Sequence, residues 1–137
     1  MSQLVAIDYG SKKTGIAVTD DLQMIASGLT TVPTQDLIPF LKKYAIENSV
    51  SGFVIGEPKR LHGVASDIET EIQKFVAILK KEFFGVEIHR IDERFTSKLA
   101  FDAMLQSGIS KKKRQNKALV DQISATLILQ DFLNYRK

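Results

Sequence analysis

Residues 4–8, LVAID, form a short and nearly continuous apolar run, the pattern of a strand covered on both faces. Gly10 and Gly15 bracket a turn, and residues 14–20, TGIAVTD, predict a second strand close enough to form a hairpin with the first. Residues 25–32, IASGLTTV, predict a third, interrupted at Gly28 in the manner of a bulge. Three strands on short connections imply an antiparallel meander.

From Thr34 the period lengthens. Leu37, Phe40, Leu41, Tyr44 and Ala45 recur at helical spacing, with Thr34 as the expected N-cap and Pro39 close enough to the start to be tolerated. Residues 50–58, VSGFVIGEP, read as a buried strand ending in a Gly-Glu-Pro turn. A helix beginning near Ser66-Asp67 presents Ile68, Ile72, Phe75, Val76 and Leu79 on one face. In residues 86–92, VEIHRID, apolar residues fall on both sides of the alternation, a mixed strand pattern. Residues 96–108 predict a short helix capped by Thr96 or Ser97 and closed at Gly108. The last helix is expected from about Gln115 to Tyr135, burying Leu119, Ile123 and Leu127 in one stripe with Ile128 and Phe132 beside it. The order β-β-β-α-β-α-β-α-α uses the chain without repeat or linker. It predicts one α/β domain over residues 1–137, a mixed five-stranded sheet with an antiparallel meander followed by parallel strands, flanked by helices.

Composition narrows the classes. At 137 residues and 44% apolar content the chain can fill one core. No apolar run approaches the roughly 18 residues of a membrane span, and Met1-Ser2-Gln3 leads straight into the first strand, so a soluble, unexported protein with no membrane partner is expected. The absence of cysteine removes disulfides, thiolate nucleophiles and cysteine-based zinc sites, and two histidines, His62 and His89, make a histidine-rich site improbable. His62 itself reads as a loop residue. Net charge is only +3, but residues 111–117, KKKRQNK, hold five cations in seven positions.

The carboxylates carry the chemistry. Asp8 ends the first strand, Glu57 the fourth and Asp92-Glu93 the fifth, and ligands of α/β sheets bind beyond the carboxyl ends of parallel strands. Asp121 lies in the first turns of the last helix, with small Ser124 and Ala125 below it to allow close approach to the sheet. Several carboxylates in one cleft repel unless compensated, and Mg²⁺ or Mn²⁺, which take oxygen ligands and phosphate, are the natural compensators. Two such ions can clamp an in-line displacement at phosphorus, which points to phosphodiester hydrolysis. Taken singly, Asp8 is most often a turn residue, Asp92-Glu93-Arg94 an exposed ion-pair cluster and Asp121 a helix-dipole charge. Their joint placement favours a site, and the residues alone leave Asp92 and Glu93 undecided. Lys12 and Lys13 at the hairpin tip, Lys59 and Arg60 after the Gly-Glu-Pro turn, and Lys111, Lys112, Lys113, Arg114 and Lys117 are candidate phosphate contacts. A solvated basic loop is the plain alternative for the last group.

AIDYGSKKTGIAV, VIGEPKRLHG, IDERFTS and KALVDQISATLIL resemble, in order and with similar spacing, the four motifs of the YqgF/RuvX family of pre-16S rRNA nucleases and Holliday-junction-resolvase-like proteins. The resemblance covers nearly the whole chain. It implies an RNase H-like (RuvC-like) fold, a cytoplasmic location and a role in maturing the 5′ end of 16S rRNA, with structured RNA as substrate, branched DNA as the alternative and ribosome-assembly proteins as possible associates. By motif it makes Asp8, Glu93 and Asp121 the metal-binding and catalytic carboxylates, lets Arg94 and Thr96 orient the backbone phosphate, and gives Lys117 a charge-neutralising role. The family's Gly-x-Pro-x-x-x-Asp-Gly pattern has His62 here in place of its Asp, and Glu57 remains a candidate additional ligand.

Two other classes compete. Actin-like ATPases and sugar kinases use a similar opening hairpin but need two duplicated domains, which this chain does not supply. A non-catalytic RNA-binding transcription factor would use the basic run alone and leave the carboxylates structural.

Overall fold

The computed structural model describes residues 1–59, 67–106 and 117–136. Strands β1 (Gln3–Asp8), β2 (Lys13–Thr19) and β3 (Ala26–Pro33) are followed by α1 (Leu37–Glu47), β4 (Val50–Glu57), α2 (Glu69–Glu82), β5 (Glu87–Asp92), α3 (Ser97–Gln106) and α4 (Lys117–Tyr135). The sheet order is β3-β2-β1-β4-β5. β1–β2 and β2–β3 pair antiparallel, while β1–β4 and β4–β5 pair parallel. This is the mixed sheet expected from the sequence, with β1 in the centre.

The pleat divides the core into two layers. Val5, Ile7, Phe53 and Ile55 turn toward Leu37 and Leu41 of α1 and Ile72, Phe75 and Leu79 of α2. Leu4, Ala6, Val54 and Ile91 turn the other way, onto Ala125, Ile128, Leu129 and Leu133 of α4. Both faces of β1 and β4 are therefore dry, which is why these strands lack polar alternation. The mixed pattern of β5 has the same origin: Ile88 packs with the α1–α2 layer, while Ile91 belongs to the α4 layer and the His89 ring lies against Phe132.

Two local expectations change. Thr34 does not cap α1: its hydroxyl donates to the Gly10 carbonyl at 2.6 Å, and a 3₁₀ turn over Thr34–Asp36 leads into the helix at Leu37. Thr34 N also donates to the Lys12 carbonyl, so the turn braces the β1–β2 hairpin tip. The stripe that α4 buries on the sheet is Ser124, Ala125, Ile128, Leu129 and Leu133, not Leu119, Ile123 and Leu127. α4 is apolar on two sides, and its second side meets α3 in a cleft lined by Phe101, Leu105, Leu119, Val120 and Ile123. Gly108 and Gln115, the expected ends of α3 and α4, lie outside the described residues. The bulge in β3 is present, with Ile16 opposite Thr30 and Ala17 opposite Gly28, so that Leu29 is the extra residue. No helix among the described residues is long and apolar enough to cross a membrane.

Candidate active site at the strand ends

Asp8 is the last residue of β1 and follows Leu4 and Ala6 on the face covered by α4. Its partner across the β1–β2 pair is Gly15. A β-carbon on Gly15 would lie 2.0 Å from the backbone oxygen of Asp121 and 3.0 Å from its Cβ. The first turns of α4 thus rest directly on the backbone opposite Asp8, and Asp121 comes to the end of β1. Ser124 and Ala125, one turn below, are fully buried and keep the helix this close.

Glu93, the first residue of the 3₁₀ turn Glu93–Phe95 that follows β5, reaches the same face. A β-carbon on Gly56 would be 2.7 Å from Glu93 Oε2 and 3.0 Å from Ile128 Cδ1, so the carboxylate lies over the bare backbone of β4, beside α4. Lys98, in the first turn of α3, places its ammonium 2.8 Å from Glu93 Oε1 and 3.0 Å from Asp102 Oδ2. Burial pushes the Asp8 carboxyl up to about 7, with Glu93, Asp102 and Asp121 adding repulsion and Lys98 partly offsetting it. Burial disfavours the charged form of Lys98, but Asp8, Glu93 and Asp102 outweigh it and raise its pKa. The cleft is a desolvated acidic pocket that holds the Lys98 ammonium.

The neighbouring acids turn away. Glu57 and Asp92 are register partners at the ends of β4 and β5. Lys59 joins them, at 2.9 Å from Glu57 and 3.5 Å from Asp92. The Arg94 guanidinium grips both Asp92 oxygens at 2.8–3.2 Å and sits 5.3 Å from the centre of the Phe95 ring. That hydrogen bonding holds the Asp92 carboxyl down at about 2. Adjacent residues thereby separate by pleat, Asp92 into an ion-paired cluster and Glu93 into the acidic cleft.

The segment between them is fixed from below. Thr96 is buried and its hydroxyl donates to the Glu93 carbonyl at 2.9 Å. Asp131 of α4 accepts from Ser97 N at 2.6 Å and from Ser97 Oγ at 3.2 Å, capping α3. The Tyr135 hydroxyl donates to the Phe95 carbonyl. One helix therefore carries Asp121 at its start and clamps the Glu93-to-Lys98 segment at its end.

A family model described as RuvX, Holliday junction resolvase, matches residues 2–135. The chain belongs to the RuvX family. A relative from Flavobacterium johnsoniae is 53% identical over 137 residues, covering 100% of this chain and 99% of its own length. One from Bacteroides thetaiotaomicron is also 53% identical with the same coverage, and one from Porphyromonas gingivalis is 47% identical over 134 residues, 98% of this chain and 97% of its own. All three bear the name "Putative pre-16S rRNA nuclease".

In this RuvX chain, Asp8, Glu93 and Asp121 meet on one side of the sheet end. Lys12 and Lys13 stand exposed at the hairpin tip beside them. Lys59 and Arg94 lie at the same end on the other face, engaged with Glu57 and Asp92. Lys117 opens α4, whereas Arg60, His62, Lys111, Lys112, Lys113 and Arg114 lie outside the described residues. Sequence reasoning missed Lys98 and Asp102. Their i,i+4 spacing on a helix that starts four residues after Glu93 places them on one helix face beside it.

The donor set suits a hard divalent cation, being all carboxylate oxygen in a cleft where burial, more than mutual repulsion, disfavours the charged form of Asp8. Among the described residues, though, no three acidic or imidazole side chains are drawn tightly enough to form a finished cage. The Lys98 ammonium stands among the carboxylates instead.

Proposed function

We propose that this RuvX nuclease is a divalent-metal-dependent endonuclease that hydrolyses phosphodiester bonds at the 5′ side of the 16S rRNA precursor in the cytoplasm. The observation that supports the metal dependence is the convergence of Asp8 and Asp121 across Gly15 with Glu93 over Gly56, in a cleft where burial, with added repulsion from the neighbouring carboxylates, raises the Asp8 carboxyl to about 7. Bound Mg²⁺ or Mn²⁺ would polarise the phosphate and lower the pKa of an attacking water. Asp8, Glu93 and Asp121 would hold it.

The remaining steps belong to the chain. Lys12 and Lys13 at the slim hairpin tip would meet the nucleic-acid backbone, and the cations in the sequence at 111–114 and 117 are further candidate phosphate contacts. Thr96 and Asp131 hold the Glu93 segment rigid, so the carboxylate is in position before substrate arrives. Water adds to phosphorus, the bond to the leaving oxygen breaks, and no enzyme–substrate covalent bond forms.

RNA is the favoured substrate because full-length relatives near 50% identity carry a pre-16S rRNA name. The family description favours the second reading, a four-way DNA junction. Side-by-side cleavage of a 16S leader transcript and a synthetic junction, with Mg²⁺ or EDTA, separates them. Metal-dependent cutting of the transcript is expected. Cutting of the junction alone would replace RNA by DNA, and equal cutting in EDTA would remove the metal. Ribosome-assembly proteins belong to the proposal as partners that present the precursor.

A further inference from the structure

We propose that Lys98 is a tethered counter-ion that occupies the acidic cleft in the metal-free protein and moves out when a divalent cation enters, with Asp102 as its outer perch. The inference rests on the metal-dependent reading above. Its ammonium contacts at once Glu93, whose side chain is 14% exposed, and Asp102, whose side chain is 41% exposed, so release of Glu93 alone would leave it on the more exposed partner. The lysine side chain itself is 15% exposed, although Asp8 lies within electrostatic reach.

A cation bound by the Glu93 carboxylate would share that carboxylate with an ammonium 2.8 Å away, and the two positive charges repel strongly in a desolvated cleft. Lysine rather than arginine suits this role, being a compact charge on a flexible four-carbon stem. Asp102 follows Lys98 by one helical turn, so the ammonium can leave Glu93 without losing an anionic partner. α3 does not need to move, because Asp131 caps its first residue.

The test is Mn²⁺ binding, followed by the electron paramagnetic resonance signal of the free ion, in the native protein and in Lys98→Met and Lys98→Arg. Lys98→Met should bind Mn²⁺ about tenfold or more tightly than the native chain, since a repelling unit charge is gone. Lys98→Arg should bind no more tightly than native. Should Lys98→Met bind equally or more weakly while the native chain binds, the counter-ion role is wrong and the metal reading stands. Should neither bind, the metal reading fails and takes this inference with it. A second measurement keeps the native fold: the ¹³Cε resonance of Lys98 should shift as Mg²⁺ is added. Saturation with Mg²⁺ that leaves this resonance unmoved would overturn the displacement.

Discussion

Gly15 and Asp121 touch backbone to backbone: a β-carbon on Gly15 would sit 2.0 Å from the Asp121 carbonyl oxygen. This contact sets the height of α4 above Asp8. Gly15→Ala is expected to push the helix outward, costing roughly 1–3 kcal/mol as overpacking does. Cleavage should fall by more than that stability loss explains, because Asp121 retreats from Asp8. Urea denaturation and single-turnover cleavage of the same sample check both parts. Full activity with lowered stability would separate α4 placement from the chemistry.

Asp8 is a stability cost in the metal-free protein. Its carboxyl is raised to about 7 when folded, against 3.8 unfolded, so the folded chain holds the proton more tightly. Stability from this group is full below about pH 4, declines as pH rises, and is lost above about 7. Asp8→Asn should therefore stabilise the chain at pH 8 in EDTA, by at most about 4 kcal/mol, with the gain shrinking toward pH 4. Excess Mg²⁺ should narrow the difference, since only the native carboxylate gains a partner. Thermal melts across pH 4–8 measure it, and an Asp8→Asn chain less stable than native at pH 8 would contradict the buried-charge account.

Asp92 and Glu93, adjacent in sequence, should fail differently. Asp92→Asn frees Arg94 and should cost about 1–2 kcal/mol at neutral pH, with some cleavage retained. The Asp92 carboxyl is held at about 2 when folded, so its contribution is present above about pH 4 and vanishes as pH falls through 2. Glu93→Gln should leave the fold standing and abolish cleavage. Reversed phenotypes would mean that the assignment by pleat is wrong.

The frame of the protein is readable in its chain because β1 and β4 are apolar on both faces and α1 and α2 on one. The site is half-readable. Asp8 announces itself at a strand end before two glycines, but the choice of Glu93 over Asp92 depends on where β5 ends and its 3₁₀ turn begins, and a shift of one residue reverses it. α4 misled periodicity because it packs on the sheet with one side and on α3 with another, so its most regular stripe is not its most buried. Lys98 and Asp102 look like an ordinary surface helix pair. Only the placement of α3 turns Lys98 inward, onto Glu93.

Asp131 is remote from the cleft in sequence yet holds its wall. Asp131→Ala should cost about 1 kcal/mol through the lost cap of α3. Cleavage should drop several-fold as Glu93 and Lys98 loosen, and Asp131→Asn, which keeps one acceptor oxygen, should recover part of it. Steady-state kinetics on the pair decides this, with an unchanged rate in Asp131→Ala contradicting the clamp.

The claim that three carboxylates jointly hold the catalytic metal is tested most directly by Mg²⁺-dependent cleavage of a 16S leader transcript by Asp8→Asn, Glu93→Gln and Asp121→Asn proteins of native fold. Each single change should reduce cleavage by at least about a thousandfold, on the order of 4 kcal/mol in the barrier. Cutting at the native rate by any one of them would remove that residue from the site, and by all three would refute the metal centre.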